Sequence, residues 1–200
     1  MIIDFNCSND YDLEDERALL RPLQPEDDKY LIPFALSQPD LWKYSLKSAA
    51  GEEGMRNYIQ TAVKEREGQR EYPFIVYEKK TQQYAGCTRF YDMNFPYQYV
   101  QLGYTWYGKE FHGSGLNKHC KYLLLSFAFE ELGMERVEFR ADAENSRSIA
   151  AMKSIGCTVE GILRNHMPRM DGTRRNSIVL SIIKTEWFDG VKQRLKQKLD

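Results

Sequence analysis

The segment FHGSGLNKH, residues 111–119, is the part of this sequence that most clearly indicates the fold. Gly113 and Gly115 flank Ser114, and a run with helical periodicity follows directly after a predicted strand, YVQLGYTWY (99–107). A strand that passes through a glycine turn into a helix brings unpaired N–H groups and the positive end of a helix dipole together. The segment therefore predicts an anion-binding loop, although GSG taken alone is more typical of an ordinary turn.

Two well-known phosphate loops do not match the segment. Gly108 and Gly113 have the spacing that opens a P-loop, but Ser114 and Gly115 stand where Lys and Ser/Thr are needed. A dinucleotide fingerprint needs a third glycine where Lys118 stands, and it belongs at the first βα turn of a chain. Both classes of nucleotide site are excluded.

The remaining sequence predicts strands and helices on both sides of this loop. The predicted strands are ALLRPL (18–23), PFIVYEK (73–79), YAGCTRFYDM (84–93), YVQLGYTWY (99–107), RVEFRA (136–141), CTVEGILRNHM (157–167) and NSIVLSIIKTEW (176–187). The predicted helices are 25–39 with a kink or break at Pro33, 51–67, 116 to about 133, 145–156, and a basic amphipathic tail at 187–199.

This order of elements predicts a mixed α/β sheet of about seven strands flanked by helices. The 200 residues suit a single domain, 1–200, with a core at about 18–187. An acidic N-terminal extension (1–17) precedes this core, and the amphipathic helix (187–199) follows it.

Composition narrows the class of protein. The formal net charge of −1 gives no general attraction to nucleic acid or to an anionic membrane. Four scattered cysteines, with no CxxC pair and no cluster at zinc spacing, predict a reduced protein without a metal. Residues 1–17 lack the apolar region of a signal peptide, and no apolar run approaches membrane-spanning length. The sequence therefore predicts a cytoplasmic protein.

Four segments together carry a resemblance to a known family. EFHGSG (110–115) resembles the Q/R-x-x-G-x-G/A signature of the GNAT acetyltransferases. AENSRSIAAMKSIGCTVEGILRNH (143–166) is similar to the second landmark of their ribosomal-protein N-terminal (RimJ/RimL-like) branch. ALLRPLQPEDD (18–28) and MDGTRRNSIVLSIIKTEW (170–187) resemble the opening and closing segments of that branch. The resemblance covers residues 18–187 with its elements in the expected order.

Three positions depart from the family pattern. Glu110 replaces the usual Gln or Arg of the loop signature, which puts a side-chain contribution to phosphate binding there in doubt. Cys157 stands where Phe is common, and Asn176 stands where Asp is common. The family's backbone contacts to acetyl-CoA are unaffected by either of these two changes.

The resemblance implies a GNAT fold, in which two parallel strands splay apart to form a slot for the co-substrate acetyl-CoA. The loop would hold the pyrophosphate, and the strand before it would supply backbone amides to the pantetheine arm and the thioester. By this resemblance, the acetyl-CoA-binding residues are Tyr104, Thr105, Trp106, His112, Gly113, Ser114, Gly115, Leu116, Asn117, Asn145 and Ser148. The same strand is also compatible with ordinary aromatic packing in a core.

The implied activity is transfer of an acetyl group to a primary amine by direct attack in a ternary complex. The acceptor implied by this branch is a protein N-terminal α-amine. A polyamine, antibiotic or other small amine is the alternative acceptor, and a CoA-binding sensor or interaction module without turnover is the alternative class. Exposed aromatic residues and the amphipathic tail would also allow a homodimer.

Candidate catalytic residues follow from the chemistry of the reaction, which needs a base for the amine and an acid for the departing thiolate. Many members of the family have a tyrosine near here as the thiolate acid, but no tyrosine occurs between residues 145 and 171. This leaves Ser148 or a water molecule, and Ser148 is the predicted acid. Asn145 and Ser148 are equally the signature of a helix N-cap. The related branch has a carboxylate near the amine at the position of Glu160, so the resemblance implies Glu160 as the base, against the alternative of a solvated strand residue. His166 is a second and weaker candidate, and a water-mediated base is a further alternative.

Overall fold

The computed structural model describes residues 3–199. Its strands are β1 (Leu13–Glu14), β2 (Ala18–Pro22), β3 (Tyr72–Glu78), β4 (Gln83–Asn94), β5 (Tyr99–Tyr107), β6 (Arg136–Asp142), β7 (Thr158–Pro168) and β8 (Arg174–Ile183). Its α-helices are α1 (Asp28–Ser37), α2 (Gly51–Glu67), α3 (Leu116–Ser126), α4 (Ser146–Ser154), α5 (Lys184–Glu186) and α6 (Lys192–Lys196). Two π-helical turns, Phe127–Glu131 and Trp187–Val191, extend α3 and join α5 to α6.

The strands form one sheet in the order β1-β2-β3-β4-β5-β6-β8-β7. All neighbouring strands are antiparallel except β5 and β6, which are parallel. A parallel pair needs a crossover connection, and α3 with its π-helical turn provides it. The predicted mixed α/β sheet flanked by helices is confirmed.

Helices cover the two faces of the sheet through different sets of aromatic residues. On the first face, here called the α2 face, the ring of Trp106 in β5 contacts the rings of Phe34 in α1 and Tyr58 in α2. On the opposite face, here called the α3 face, Phe90 of β4 stacks on Phe127, directly after α3. Both faces are therefore buried in the middle of the sheet.

The element boundaries largely agree with the sequence predictions, and α2 has the predicted bounds of 51–67. The expected break at Pro33 does not occur, because α1 runs through this residue from Asp28 to Ser37. Pro33 cannot donate to the carbonyl of Lys29, but both residues are exposed, so water can satisfy that carbonyl. The solvent-facing position makes the proline tolerable.

The two ends of the chain also differ from the predictions. The acidic extension contains an eighth strand, β1, and its Cys7 and Leu13 are buried in the core. At the other end, β8 stops at Ile183 and helical structure begins at Lys184 instead of Trp187. The tail is divided at Gly190, where the backbone leaves helical geometry. Among the described residues, no helix has the length and apolar character needed to cross a membrane.

Candidate active site

The parallel strands β5 and β6 are paired over a short stretch at one end. Tyr99 is paired with Arg136 and Gln101 with Glu138, and within residues 3–199 the pairing goes no further. Beyond this point β5 is paired only with β4, and β6 only with β8. The strands therefore separate toward the carboxyl end of β5, as expected, and the loop to α3 begins at that end.

A β-bulge shapes β5 beside the separation. Between Cys87 and Arg89 of β4 the register shifts, so that Tyr104 and Thr105 oppose a single residue. Tyr104 has a φ of +49°, which is uncommon for a residue with a side chain. Its exposed ring lies over the guanidinium of Arg89, 4.3 Å from the ring centroid. Bulges of this kind often re-aim side chains next to active sites.

The next two residues of β5 point to opposite faces of the sheet. The Thr105 hydroxyl lies 2.7 Å from the Thr88 hydroxyl and accepts a hydrogen bond from Lys121 Nζ at 2.9 Å, on the α3 face. Trp106 packs on the α2 face, where its buried Nε1 has no hydrogen-bond partner among the described residues. The strand is thus fixed by side chains on both faces, while its edge toward β6 is open.

The loop before α3 depends on two glycines with left-handed backbone conformations. Gly113 has a φ of +74° and Gly115, the N-cap of α3, has a φ of +94°. A Cβ on Gly113 would meet no atom within 4 Å, and one on Gly115 would meet only Arg17, at 4.0 Å. The positive φ values therefore favour glycine at both positions, although an added side chain would have room at either one.

The backbone amides of this loop are available to a ligand. Among the described residues, the N–H groups of Gly113, Gly115 and Asn117 have no hydrogen-bond partner. The Leu116 amide donates weakly to Ser114 Oγ at 3.3 Å, and the side chain of Leu116 is fully buried. Unpaired amides at the N-terminus of an eleven-residue helix, α3, suit an anion. The residues present thus fit the pyrophosphate of acetyl-CoA.

His112 connects this loop to α4. Arg147 lies 3.0 Å from its Nδ1, and the carbonyl of Tyr107 lies 3.0 Å from its Nε2. Because a guanidinium can only donate, Nδ1 must accept and Nε2 must carry the proton. Burial, followed by the charge of Arg147, lowers the pKa of His112. A neutral His112 therefore holds the loop against the start of α4.

Asn145 and Ser148 lie at the N-terminus of α4. The side-chain oxygen of Asn145 accepts the backbone N–H of Ser148 at 3.1 Å, which forms the expected N-cap. The hydroxyl of Ser148 is half-buried and makes no hydrogen bond to another described residue. The cap uses only the backbone of Ser148, so its hydroxyl is available for another role.

Glu160 is held in an ion pair on β7. Its carboxylate accepts hydrogen bonds from both terminal nitrogens of Arg136, one at 2.9 Å, and from the hydroxyl of Ser181. The hydrogen bonds from Arg136, and then the one from Ser181, lower the pKa of Glu160. A carboxylate with a lowered pKa is a weaker base, so a catalytic role for Glu160 would require this ion pair to open.

His166, the second candidate base, lies on the same strand. Its Nδ1 is 2.9 Å from the hydroxyl of Ser177, and Arg175 donates to the same hydroxyl at 2.9 Å. Burial, and then the nearby arginines Arg140, Arg175 and Arg174, lower the pKa of His166. This histidine is therefore mostly neutral at pH 7, but its Nδ1 is already hydrogen-bonded to Ser177 of β8.

Two side chains near the site were missed in the sequence. Arg147 is an exposed residue in the first turn of α4 and carries no signal in the sequence alone. Lys121 does carry one, because it lies at helical spacing from Leu124, Leu125 and Ala128, all of which are buried. A lysine among such residues signals a buried amine.

Comparisons with known proteins agree with this geometry. A model of the acetyltransferase (GNAT) domain matches residues 17–158. "Putative ribosomal N-acetyltransferase YdaF" of Bacillus subtilis (strain 168) is 34% identical over 88 residues, which are 44% of this chain and 47% of that protein. The chain therefore spans about half the length of this relative.

Two solved structures share the fold over nearly the whole chain. The crystal structure of a putative acetyltransferase from T. thermophilus is 29% identical, covers 100% of both chains and gives a TM-score of 0.85. Mycobacterium smegmatis RimJ in complex with CoA-disulfide is 18% identical, with a TM-score of 0.79 over 94% of this chain and 93% of that one. At this identity, the second likeness concerns the fold alone. The family model, which matches well over half of the sequence, shows that this chain belongs to the GNAT family of N-acetyltransferases, a family of acyltransferases.

Proposed function

We propose that this protein transfers the acetyl group of acetyl-CoA to a primary amine, by direct attack of the amine in a ternary complex. The observation that carries the proposal is the loop between β5 and α3. Its amides at Gly113, Gly115 and Asn117 have no partner among the described residues, and it adjoins the point where β5 and β6 separate. An anion-binding loop next to an unpaired strand edge suits a ligand with a phosphate group at one end and an extended arm that contains amides. The loop can bind the phosphate, and the strand edge can pair with the amides.

The chain's own residues would divide the work of binding. The 112–117 loop would hold the pyrophosphate through its backbone, and the backbone of Tyr104, Thr105 and Trp106 would pair with the pantetheine arm. Asn145 and Ser148 would lie along that arm from the side of α4. The bound acetyl-CoA supplies an activated acetyl thioester. Exclusion of water from the slot would favour attack of the amine on the thioester over hydrolysis of the thioester.

The acceptor that we propose is a protein N-terminal α-amine. Arg136 lowers the pKa of Glu160, and burial lowers that of His166, so neither candidate base is strong. An α-amine titrates near pH ~7.7–8.0, whereas a lysine amine titrates near ~10.4. The neutral fraction of an α-amine at physiological pH is therefore far larger than that of a lysine amine, so an α-amine needs less help from a base. The printed name of the Bacillus subtilis relative, a ribosomal N-acetyltransferase, also supports this acceptor class.

Release of CoA thiol with a panel of acceptors tests the proposal. The panel contains short peptides with free N-termini, the same peptides with blocked N-termini and a free lysine, and small polyamines. We expect thiol release with the free N-termini only. Release with polyamines alone would show that the acceptor class is wrong. CoA binding without release on any amine would instead favour a binding module.

A further inference from the structure

Lys121 of α3 is a buried amine without a carboxylate partner. The residue is 5% exposed, and within residues 3–199 no acidic side chain lies within ion-pair distance of its Nζ. Its single hydrogen bond is donated to Thr105 Oγ at 2.9 Å. Buried charges in proteins are normally paired, because an unpaired one has a large desolvation cost. The described residues give Lys121 a neutral hydroxyl and the face of the Phe139 ring, but no anionic partner.

The amine lies on the α3 face of the sheet, near both of the strands that separate. Its hydrogen-bond partner Thr105 is on β5, within the bulge, and its Nζ is 5.8 Å from the ring centroid of Phe139 on β6. The pairing of β5 with β6 ends before either residue, at Gln101 and Glu138. Lys121 therefore lies beside the unpaired parts of β5 and β6, and it projects from the same helix whose N-terminus forms the anion loop.

The Lys121 ammonium has three N–H donors, and Thr105 uses one of them among the described residues. Cys120 and Cys157 are the titratable neighbours that act on it, and both are themselves buried. Burial is the dominant effect and lowers the pKa of Lys121 to about 8. Such an amine is still largely protonated at pH 7, yet it gives up its proton far more readily than an ordinary lysine.

We propose that Lys121 is a catalytic residue, which donates a proton from its ammonium group to the sulfur of CoA as the thiolate departs. This proposal rests on the proposed function. The acceptor nitrogen forms a bond to the acetyl carbon while the bond from that carbon to sulfur breaks. The sulfur takes a proton from Lys121 Nζ, the acetylated nitrogen loses its extra proton to water, and solvent returns a proton to Lys121.

This assignment explains why a lysine occupies the position. A methionine or leucine would fill the same space without the cost of a buried charge. A sulfur that gains negative charge during the reaction would supply the anionic partner that the described residues lack. The hydroxyl of Ser148, the acid expected from the sequence, is a much weaker acid than an ammonium with a lowered pKa. Ser148 would then position the arm of CoA.

Ultraviolet titration of the thiolate of bound CoA tests the proposal without requiring an acceptor. Bound to the parent protein, the CoA thiol should have a pKa about one unit or more below that of free CoA, because an ammonium lies nearby. Lys121→Met should abolish this lowering. Lys196→Met, the same change at an exposed position of α6, should leave it as in the parent. An unchanged thiol pKa in Lys121→Met that still binds CoA would overturn the proposal.

A second variant separates proton donation from charge. Lys121→Arg keeps a cation that cannot be deprotonated in a protein. We expect this variant to keep the lowered thiol pKa and to lose turnover by about 10²-fold. Turnover equal to the parent's would exclude Lys121 as the donor.

The melting temperature of Lys121→Met distinguishes a catalytic lysine from a purely structural one. Lys121→Met should melt at the same temperature as the parent or higher, which a purely structural lysine would not permit. A parent protein that shows no binding of CoA would overturn both this proposal and the proposed function. Binding of CoA with an unshifted thiol pKa in the parent would overturn this proposal alone.

Discussion

Gly115 has a demanding backbone conformation, and in the proposed function it also lies at the pyrophosphate of the ligand. Its φ of +94° means that any side chain there is strained, whatever its charge. Gly115→Ala and Gly115→Asp should therefore both lose about 1–2 kcal/mol of stability. The aspartate should recover part of this loss, since a carboxylate favours a helix N-terminus by about 0.3–1 kcal/mol.

In affinity for CoA, the order of the two variants should be reversed, so that Gly115→Ala binds better than Gly115→Asp. An aspartate at this N-cap would place negative charge where the pyrophosphate is expected. At ~4 Å and an effective dielectric of 20, each such charge pair costs about 4 kcal/mol, or several hundredfold in affinity. Calorimetric titration should show weak binding for Gly115→Ala and none for Gly115→Asp. Equal affinities in the two variants would show that the loop does not hold the ligand.

The stability contribution of Lys121 should depend on pH in a defined direction. Its folded-state pKa is lowered from 10.5 to about 8 by burial. Below pH 8 the amine is charged in both states and the burial cost is fully present. Between pH 8 and 10.5 the folded protein has lost the proton and the unfolded chain keeps it, so this cost fades as pH rises.

Urea unfolding of the parent and of Lys121→Met checks this dependence. The variant should be more stable than the parent at pH 7, and its advantage should shrink by pH 10. The buried cysteines and tyrosines affect both proteins alike, so the difference isolates Lys121. An advantage that is constant over this range would contradict the lowered pKa.

Ser148→Ala separates the hydroxyl of Ser148 from the helix cap. Because the cap uses the backbone N–H of Ser148, removal of the hydroxyl should leave the melting temperature nearly unchanged. If Ser148 positions the arm of CoA, turnover should fall modestly, whereas a fall of about 10²-fold or more would identify it as the acid instead. Steady-state rates with a peptide acceptor distinguish these results.

At the scale of elements, the N-cap of α4 is the feature most directly read from the sequence. Asn145 accepts the Ser148 amide as the spacing predicts. Asn145→Ala should therefore cost about 1 kcal/mol of unfolding free energy, measured by urea titration. Asn145→Asp is the control, since it keeps an acceptor oxygen and should retain most of the stability. Equal losses in both variants would contradict the capping role.

Helices and strands with clear periodicity could be predicted, whereas features set by tertiary contact could not. The bounds of α2 follow from Met55 and Ile59 at helical spacing, and both are buried. The passage of α1 through Pro33 depends on which side of the helix faces water, which its sequence does not state. The early end of β8 at Ile183 depends on a following helix whose Trp187 is fully buried.

The glycine loop of the candidate site could be predicted from the sequence. Contacts between side chains of different helices and strands could not. The loop at 112–117 follows from glycines between a strand and a helix, and the structure gives both glycines left-handed backbone conformations. The contact of Lys121 with Thr105 joins residues from α3 and β5, and no local pattern in the sequence predicts it. The same holds for the ion pair that engages Glu160.

At the scale of the whole molecule, the sheet consists of two parts joined by a short seam. The pairs from Tyr99–Arg136 to Gln101–Glu138 are the strand pairing between β1–β5 and β6–β8 among the described residues. Elsewhere the α3 crossover connects the two parts, and the ring of Trp187, which follows β8, packs against Tyr122 of α3 and against Phe129. A ligand between β5 and β6 would contact both parts, so its binding should stabilise the fold as a unit.

The most direct test of acetyl-CoA use is therefore the melting temperature of the purified protein with and without the ligand. A ligand at a hundredfold its dissociation constant adds about 2.7 kcal/mol to the unfolding free energy. For a chain of this size, that corresponds to a rise of roughly 5–10 °C. We predict a rise of this size for the parent with millimolar acetyl-CoA and no rise for Gly115→Asp. No shift in the parent, or an equal shift in both proteins, would contradict acetyl-CoA binding at this loop.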